Sequence, residues 1–118
     1  MCSISKGQLR ATLLHQLKQQ KEDERRQRSE AIRRKVFRLT AFRRAKLVGC
    51  YVALPYEVQT WRMIEGMLSQ GKRVAVPIMQ PRTKRLQLSE VREPAAELSR
   101  GRFGVWEPAP SARRPVPL

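Results

Sequence analysis

The sequence predicts an α/β fold in which N-terminal helices pack on a mostly parallel sheet. Three observations carry this. Residues 47–53 and 71–78 each hold a short apolar run rich in Val, Ile and Tyr, the composition of buried strands. Between them Trp61, Ile64, Met67 and Leu68 recur at helical spacing. Thr60 stands where that helix needs a cap, and Gly71 where it needs a residue that can turn left-handed. A strand–helix–strand unit of this kind predicts two parallel strands joined by a right-handed crossover. The turn after the first strand is where open α/β sheets bind ligands, and the acid in that turn is Glu57.

The other elements follow in chain order. Ser3 or Ser5 can cap a helix that begins near Lys6. Leu9, Leu13 and Leu17 recur at intervals of four, with Leu14 beside them, and give that helix one apolar face. Residues 18–28 are charged or amide almost throughout, which fits a solvated continuation of the helix or an exposed turn. A second helix is predicted over residues 29–39, with Ala31, Ile32, Val36 and Leu39 inward. Thr40, Ala41 and Phe42 make the turn into the first strand. Beyond Ile78, Pro81 breaks the chain, and residues 85–91 alternate as a half-exposed strand does. Residues 94–99 read as a helical turn around Leu98, and residues 101–105 as a glycine-bounded turn leading to Trp106, Glu107 and Pro108. The chain thus divides into an α/β domain, residues 1–108, and a tail, residues 109–118. Pro110, Pro115 and Pro117 predict that this tail is irregular.

Composition narrows the function classes. At 118 residues the chain has the length of one domain, and its apolar and charged fractions, 41% and 30%, describe a folded protein rather than a disordered one. The net charge of +15 attracts polyanions of any kind without choosing among them. Two cysteines and one histidine offer neither a disulfide framework nor a zinc cluster, and no metal ligand is assigned. No apolar run approaches a membrane span, and Lys6, Arg10, Lys18 and Lys21 interrupt what would be the apolar core of a signal peptide. A reduced, cytoplasmic protein is the expectation.

The basic clusters Arg25-Arg26-x-Arg28 and Arg33-Arg34-Lys35 support an alternative, a small nucleic-acid-binding protein organised by an arginine-rich helix. Glu22, Asp23, Glu24 and Glu30 interleave with them, which suits a solvated, salt-bridged helix. Few aromatics accompany the clusters to stack on bases.

An ordered set of short motifs points to an enzyme instead. It runs Lys6-x-x-Leu9-Arg10, Ser29-x-x-Ile32, Phe42-x-x-Ala45-Lys46, Tyr51, Glu57-Val58-x-Thr60, Gly71-Lys72-x-Val74-x-Val76-Pro77 and Gly104-Val105-x-Glu107-Pro108. In this order and spacing the chain resembles the 5-formyltetrahydrofolate cyclo-ligase (methenyltetrahydrofolate synthetase) family. The resemblance implies a partial three-layer sandwich similar to ribose-5-phosphate isomerase and CoA-transferases. It also implies ATP- and Mg-dependent conversion of 5-formyltetrahydrofolate to 5,10-methenyltetrahydrofolate. By resemblance Lys6 and Arg10, one helical turn apart, contact the ATP phosphates, and Val52 and Glu57 contact the folate. It names no catalytic residue in this chain. The family continues after its Glu-Pro turn into a glycine-rich, phosphate-binding segment, whereas this sequence stops at Leu118. The expectation is therefore the N-terminal portion of such an enzyme, with its activity in this truncated form in doubt.

Other residues read as structural. Trp61 and Trp106 suit core or rim packing, Thr60 a helix cap, His15 an inert helix surface and Cys50 buried packing. Tyr56 replaces the small or acidic residue the family carries before its glutamate, and suits an extra pocket wall or an exposed aromatic.

Overall fold

The computed structural model describes residues 3–80, 82–101 and 104–117. Cys2, Pro81 and the Arg102–Phe103 part of the predicted glycine-bounded turn lie outside them. The N-terminal helix, α1 (Lys6–Gln19), opens with a capping box. The Ser5 hydroxyl accepts from the Gln8 N–H at 3.1 Å, and the Ser5 N–H donates to Gln8 Oε1 at 3.0 Å. Its apolar face is little covered by the described residues: Leu9 and Leu13 are each 50% exposed and Leu17 42%, Leu14 is half-buried, and α1 fully buries no residue.

The second helix, α2 (Glu22–Arg38), starts seven residues before the predicted Ser29. Glu22, Asp23 and Glu24 occupy its first turn, where acids favour the helix dipole. Its inward face is Ser29, Val36 and Phe37, while Ala31, Ile32 and Leu39 are exposed, contrary to the sequence expectation. The decisive contacts are aromatic. Phe37 stacks on buried Phe42 at a centroid distance of 4.6 Å, which turns α2 toward the short helix α3 (Thr40–Arg44).

Strand β1 (Leu47–Gly49), helix α4 (Trp61–Ser69) and strand β2 (Arg73–Met79) form the predicted unit, and β1 pairs parallel to β2 with Val48 opposite Val74. The helix ends as expected. Gly71 has φ +81°, its N–H donates to Leu68 O, and the Lys72 N–H donates to Met67 O. These two bonds make a Schellman motif. The first strand is shorter than predicted. Its last ladder bond is Cys50 N–H to Ala75 O, after which the buried Thr60 hydroxyl engages residues 51–53.

The mostly parallel sheet is corrected to a mixed one. Strand β3 (Leu86–Val91) runs antiparallel to β2, with Val91 opposite Val74 and Leu86 opposite Met79. The link over residues 80–85 is far too short for the crossover that a parallel pair requires. After α5 (Pro94–Glu97), strands β4 (Leu98–Arg100) and β5 (Trp106–Pro108) form a separate antiparallel pair.

The irregular tail is corrected as well. Strand β6 (Pro115–Val116) pairs antiparallel with β3 and completes a four-stranded sheet of order β1-β2-β3-β6. Proline is tolerated there because β6 is an edge strand. The chain before it docks through the Arg114 N–H to Ser89 Oγ at 2.9 Å and the Glu90 N–H to Arg114 O at 2.8 Å. The core lies between sheet and helices: Ile64, Met63 and Met67 of α4 meet Val74, Val76 and Val91, with Val52, Phe42 and Leu98 at its margins.

Candidate functional site

The segment between β1 and α4 is held by side chains rather than by a ladder. The Thr60 hydroxyl donates to Tyr51 O at 2.7 Å and accepts from the Ala53 N–H at 2.9 Å. It makes no helix-capping bond, so the predicted cap instead braces the strand exit. The Gln59 amide donates to the carbonyls of Leu54, Pro55 and Glu57, and its backbone N–H donates to Ser29 Oγ at 2.8 Å. Arg25 closes the segment from the other side, donating to Pro55 O at 2.9 Å and to Leu17 O at 2.7 Å. Its Nε is buried without a hydrogen-bond partner among the described residues.

This braced segment forms one wall of a cavity of about 740 Å³ between α2 and α4, a size suited to a small organic ligand. Val52, 6% exposed, lines it together with Ala53, Pro55 and Gln59. Trp61 and Trp106 form an aromatic wall, edge to face with centroids 6.1 Å apart. The facing wall is charged: Arg25, Arg26, Glu30 and Arg33 from α2, with Arg62 and Glu65 from α4. Hydrogen bonding from Arg33 holds the Glu30 carboxyl below its ordinary range, so Glu30 and Arg33 face the cavity as an ion pair. Planar rings meet apolar and aromatic surface here, and anionic groups meet guanidinium donors. A second, apolar cavity of about 490 Å³ lies between α2 and the sheet, bordered by Val36, Cys50, Tyr51, Met63 and Leu88.

The residues singled out from the sequence separate into two places. Val52 lines the larger cavity, and Glu57 sits in the loop beside it without lining either cavity. The Glu57 carboxylate accepts from the Leu54 N–H at 2.8 Å. Tyr51 is close enough to feel it: burial, and then the Glu57 charge, push its hydroxyl pKa up. Lys6 and Arg10 lie exposed in the N-terminal half of α1. Along the helix axis they stand about 21 Å and 15 Å from Gln20 at the cavity rim, and neither lines the cavity that Val52 lines. Tyr56 is half-buried under the Lys18 ammonium, 5.1 Å from its ring centroid.

Trp61 and Trp106 pack against the core, as their composition suggests, and also line the cavity. Arg62, Glu30 and Arg33 line it too; sequence reasoning gave Arg62 and Glu30 no site role, and placed Arg33 only in the basic cluster of the nucleic-acid alternative. The available signal was the adjacent Trp61-Arg62 pair at the start of an amphipathic helix. Among the described residues no group of three or more His, Cys, Asp or Glu is placed to hold a metal ion. No described helix is long and apolar enough to cross a membrane.

Fold and site together define an α/β domain with a ligand-sized cavity where the strand–helix turn of the parallel pair opens. Residues 2–118 match the model of the 5-formyltetrahydrofolate cyclo-ligase family, and the chain belongs to that family. It is 27% identical over 92 residues to a 5-formyltetrahydrofolate cyclo-ligase of Haemophilus influenzae, a match covering 78% of this chain and 49% of that protein. The NMR structure of Aquifex aeolicus 5,10-methenyltetrahydrofolate synthetase superposes with a TM-score of 0.79 at 28% identity, covering 96% of this chain and 55% of the other. The chain thus spans about half the length of these relatives.

Proposed function

We propose that this chain serves the ATP- and Mg-dependent conversion of 5-formyltetrahydrofolate to 5,10-methenyltetrahydrofolate, and that its share of the work is to hold the ligands. The family match over residues 2–118 carries the reading. The cavity beside Val52 supports it, because an aromatic wall facing guanidinium donors suits a ligand with a fused ring and carboxylates. Trp61 and Trp106 offer the ring a flat surface, and Arg62 offers its side chain to a carboxylate. Glu57, in the braced loop beside the cavity, has one carboxylate oxygen bonded to the Leu54 N–H, and we assign its other oxygen to a ring N–H.

ATP, when bound, supplies the phosphoryl group that makes the formamide oxygen a good leaving group. Lys6 and Arg10 are one turn apart on α1, a spacing that suits successive phosphates. No residue described here is given to magnesium, and none is given the phosphoryl transfer. Positioning and charge neutralisation are what this stretch of chain contributes.

Quenching of the Trp61 and Trp106 fluorescence by 5-formyltetrahydrofolate tests the reading. Saturable quenching is expected, weakened about tenfold in Arg62→Ala, the loss of one charge-assisted contact. A folded chain that shows no quenching would overturn it. Near-ultraviolet absorbance on adding ATP and magnesium reports separately whether the chain turns over.

A further inference from the structure

The acids of α2 are confined to its first nine residues, and their partners are local. Asp23 pairs with Arg26 at 2.9 Å, and Glu30 pairs with Arg33 and, at 3.9 Å, with Arg34. From residue 31 to residue 56 the sequence has no acid at all. Arg28, Lys35 and Arg38 share one exposed face of α2, by their spacing of seven and three. Arg43, Arg44 and Lys46 continue the exposed surface through α3 and beyond it. None of these six has a carboxylate partner among the described residues.

The corner that carries them is rigid. Phe37 stacks on Phe42 inside the bend, and the Lys72 ammonium lies 4.8 Å from the Phe42 ring centroid. The same ammonium donates to the carbonyls of Phe42 and Ala45, at 2.9 and 2.7 Å. Five of the six cations therefore stand on helices that this packing holds together, and Lys46 follows in the short link to β1. Both aromatics of the corner are committed to each other, so none is exposed there to stack on bases.

We propose that the outer α2–α3 face, Arg28, Lys35, Arg38, Arg43, Arg44 and Lys46, binds the phosphodiester backbone of nucleic acid without sequence preference. This goes beyond the folate reading and uses none of the residues that line the cavity. Neutralising phosphates along a duplex releases counterions, so six contacts give a slope of about −5 for log affinity against log salt.

The test is fluorescence anisotropy of a labelled DNA duplex about two helical turns long, titrated with the chain at several salt concentrations. The triple variant Arg38→Gln/Arg43→Gln/Arg44→Gln should flatten the slope by about 3, with its thermal transition unchanged. A second triple variant, Arg82→Gln/Lys84→Gln/Arg85→Gln in the β2–β3 turn, removes the same charge elsewhere and should leave the slope as it was. Equal flattening by both variants would mean that only the net charge acts, and would overturn the proposal. So would a chain that sediments with phosphatidylserine vesicles but fails to bind the duplex. Quenching by 5-formyltetrahydrofolate should be the same in the first variant as in the parent, so the two readings fail independently.

Discussion

The Arg114 guanidinium lies 2.6 Å from the Glu97 carboxylate, which also accepts the backbone N–H groups of Arg92 and Glu93. Glu97 is buried, and burial pushes its carboxyl pKa up. The Arg114 bond and the two N–H groups outweigh this and leave it lowered. The Glu90 carboxyl is lowered chiefly by hydrogen bonding from Arg73. A depressed folded-state value means stability that is fully present above the ordinary carboxylate value of 4.5 and lost as pH falls through the folded value.

The urea midpoint should therefore hold steady from neutrality to about the ordinary carboxylate range and then fall. Arg114→Gln should be less stable than the parent at neutral pH, with the gap closing in acid as Glu97 takes up its proton. A gap that stays constant with pH would show that Arg114 acts through packing alone.

Thr60 is 3% exposed and satisfies both the Tyr51 carbonyl and the Ala53 N–H. Thr60→Val keeps the shape and leaves both groups without a partner, at a cost of about 2 kcal/mol or more. Thr60→Ser keeps the hydroxyl and should retain most of that stability. Equilibrium urea unfolding of the two variants distinguishes a bracing hydroxyl from a merely apolar contact.

Cys50 should be a slow nucleophile. Burial pushes its thiol pKa up, against a smaller opposing effect from the Thr60 side chain, and the thiolate is the reactive form. Iodoacetamide at mildly alkaline pH should label Cys50 about tenfold more slowly in the folded chain than in urea. Peptide mass spectrometry separates its label from that of Cys2.

The strand–helix–strand unit was legible because its signals are local: periodicity in residues 61–69, and a glycine where the helix needs a left-handed residue. The sense of β3 was not read from alternation, because alternation sets a face and not a direction. The short link after Met79 decided it. The tail misled for a physical reason. Prolines exclude a central strand, and nothing local in residues 109–118 reveals that Ser89, Glu90 and Glu97 wait to receive Arg114. The site was half legible. Val52, marked by the family resemblance, lines the cavity, while Glu57, marked by its turn after the strand, lies in the loop beside it. Arg25 read as part of a solvated run and Ser29 as the start of a helix, although their partners Pro55 and Gln59 lie 30 residues away.

The isolation of α1 gives the proposed nucleotide grip a mechanical character. The helix buries no side chain, and Arg25 fastens only its C-terminal end, at Leu17 and Gln20. It is a lever with its fulcrum near Gln20 and its load at Lys6. Over about 21 Å of arm, a tilt of about 10° at the fulcrum would sweep Lys6 through roughly 4 Å. The hydrogen bonds that Arg25 makes to Leu17 and to Pro55 thus lie at the end of the helix opposite to its two cations.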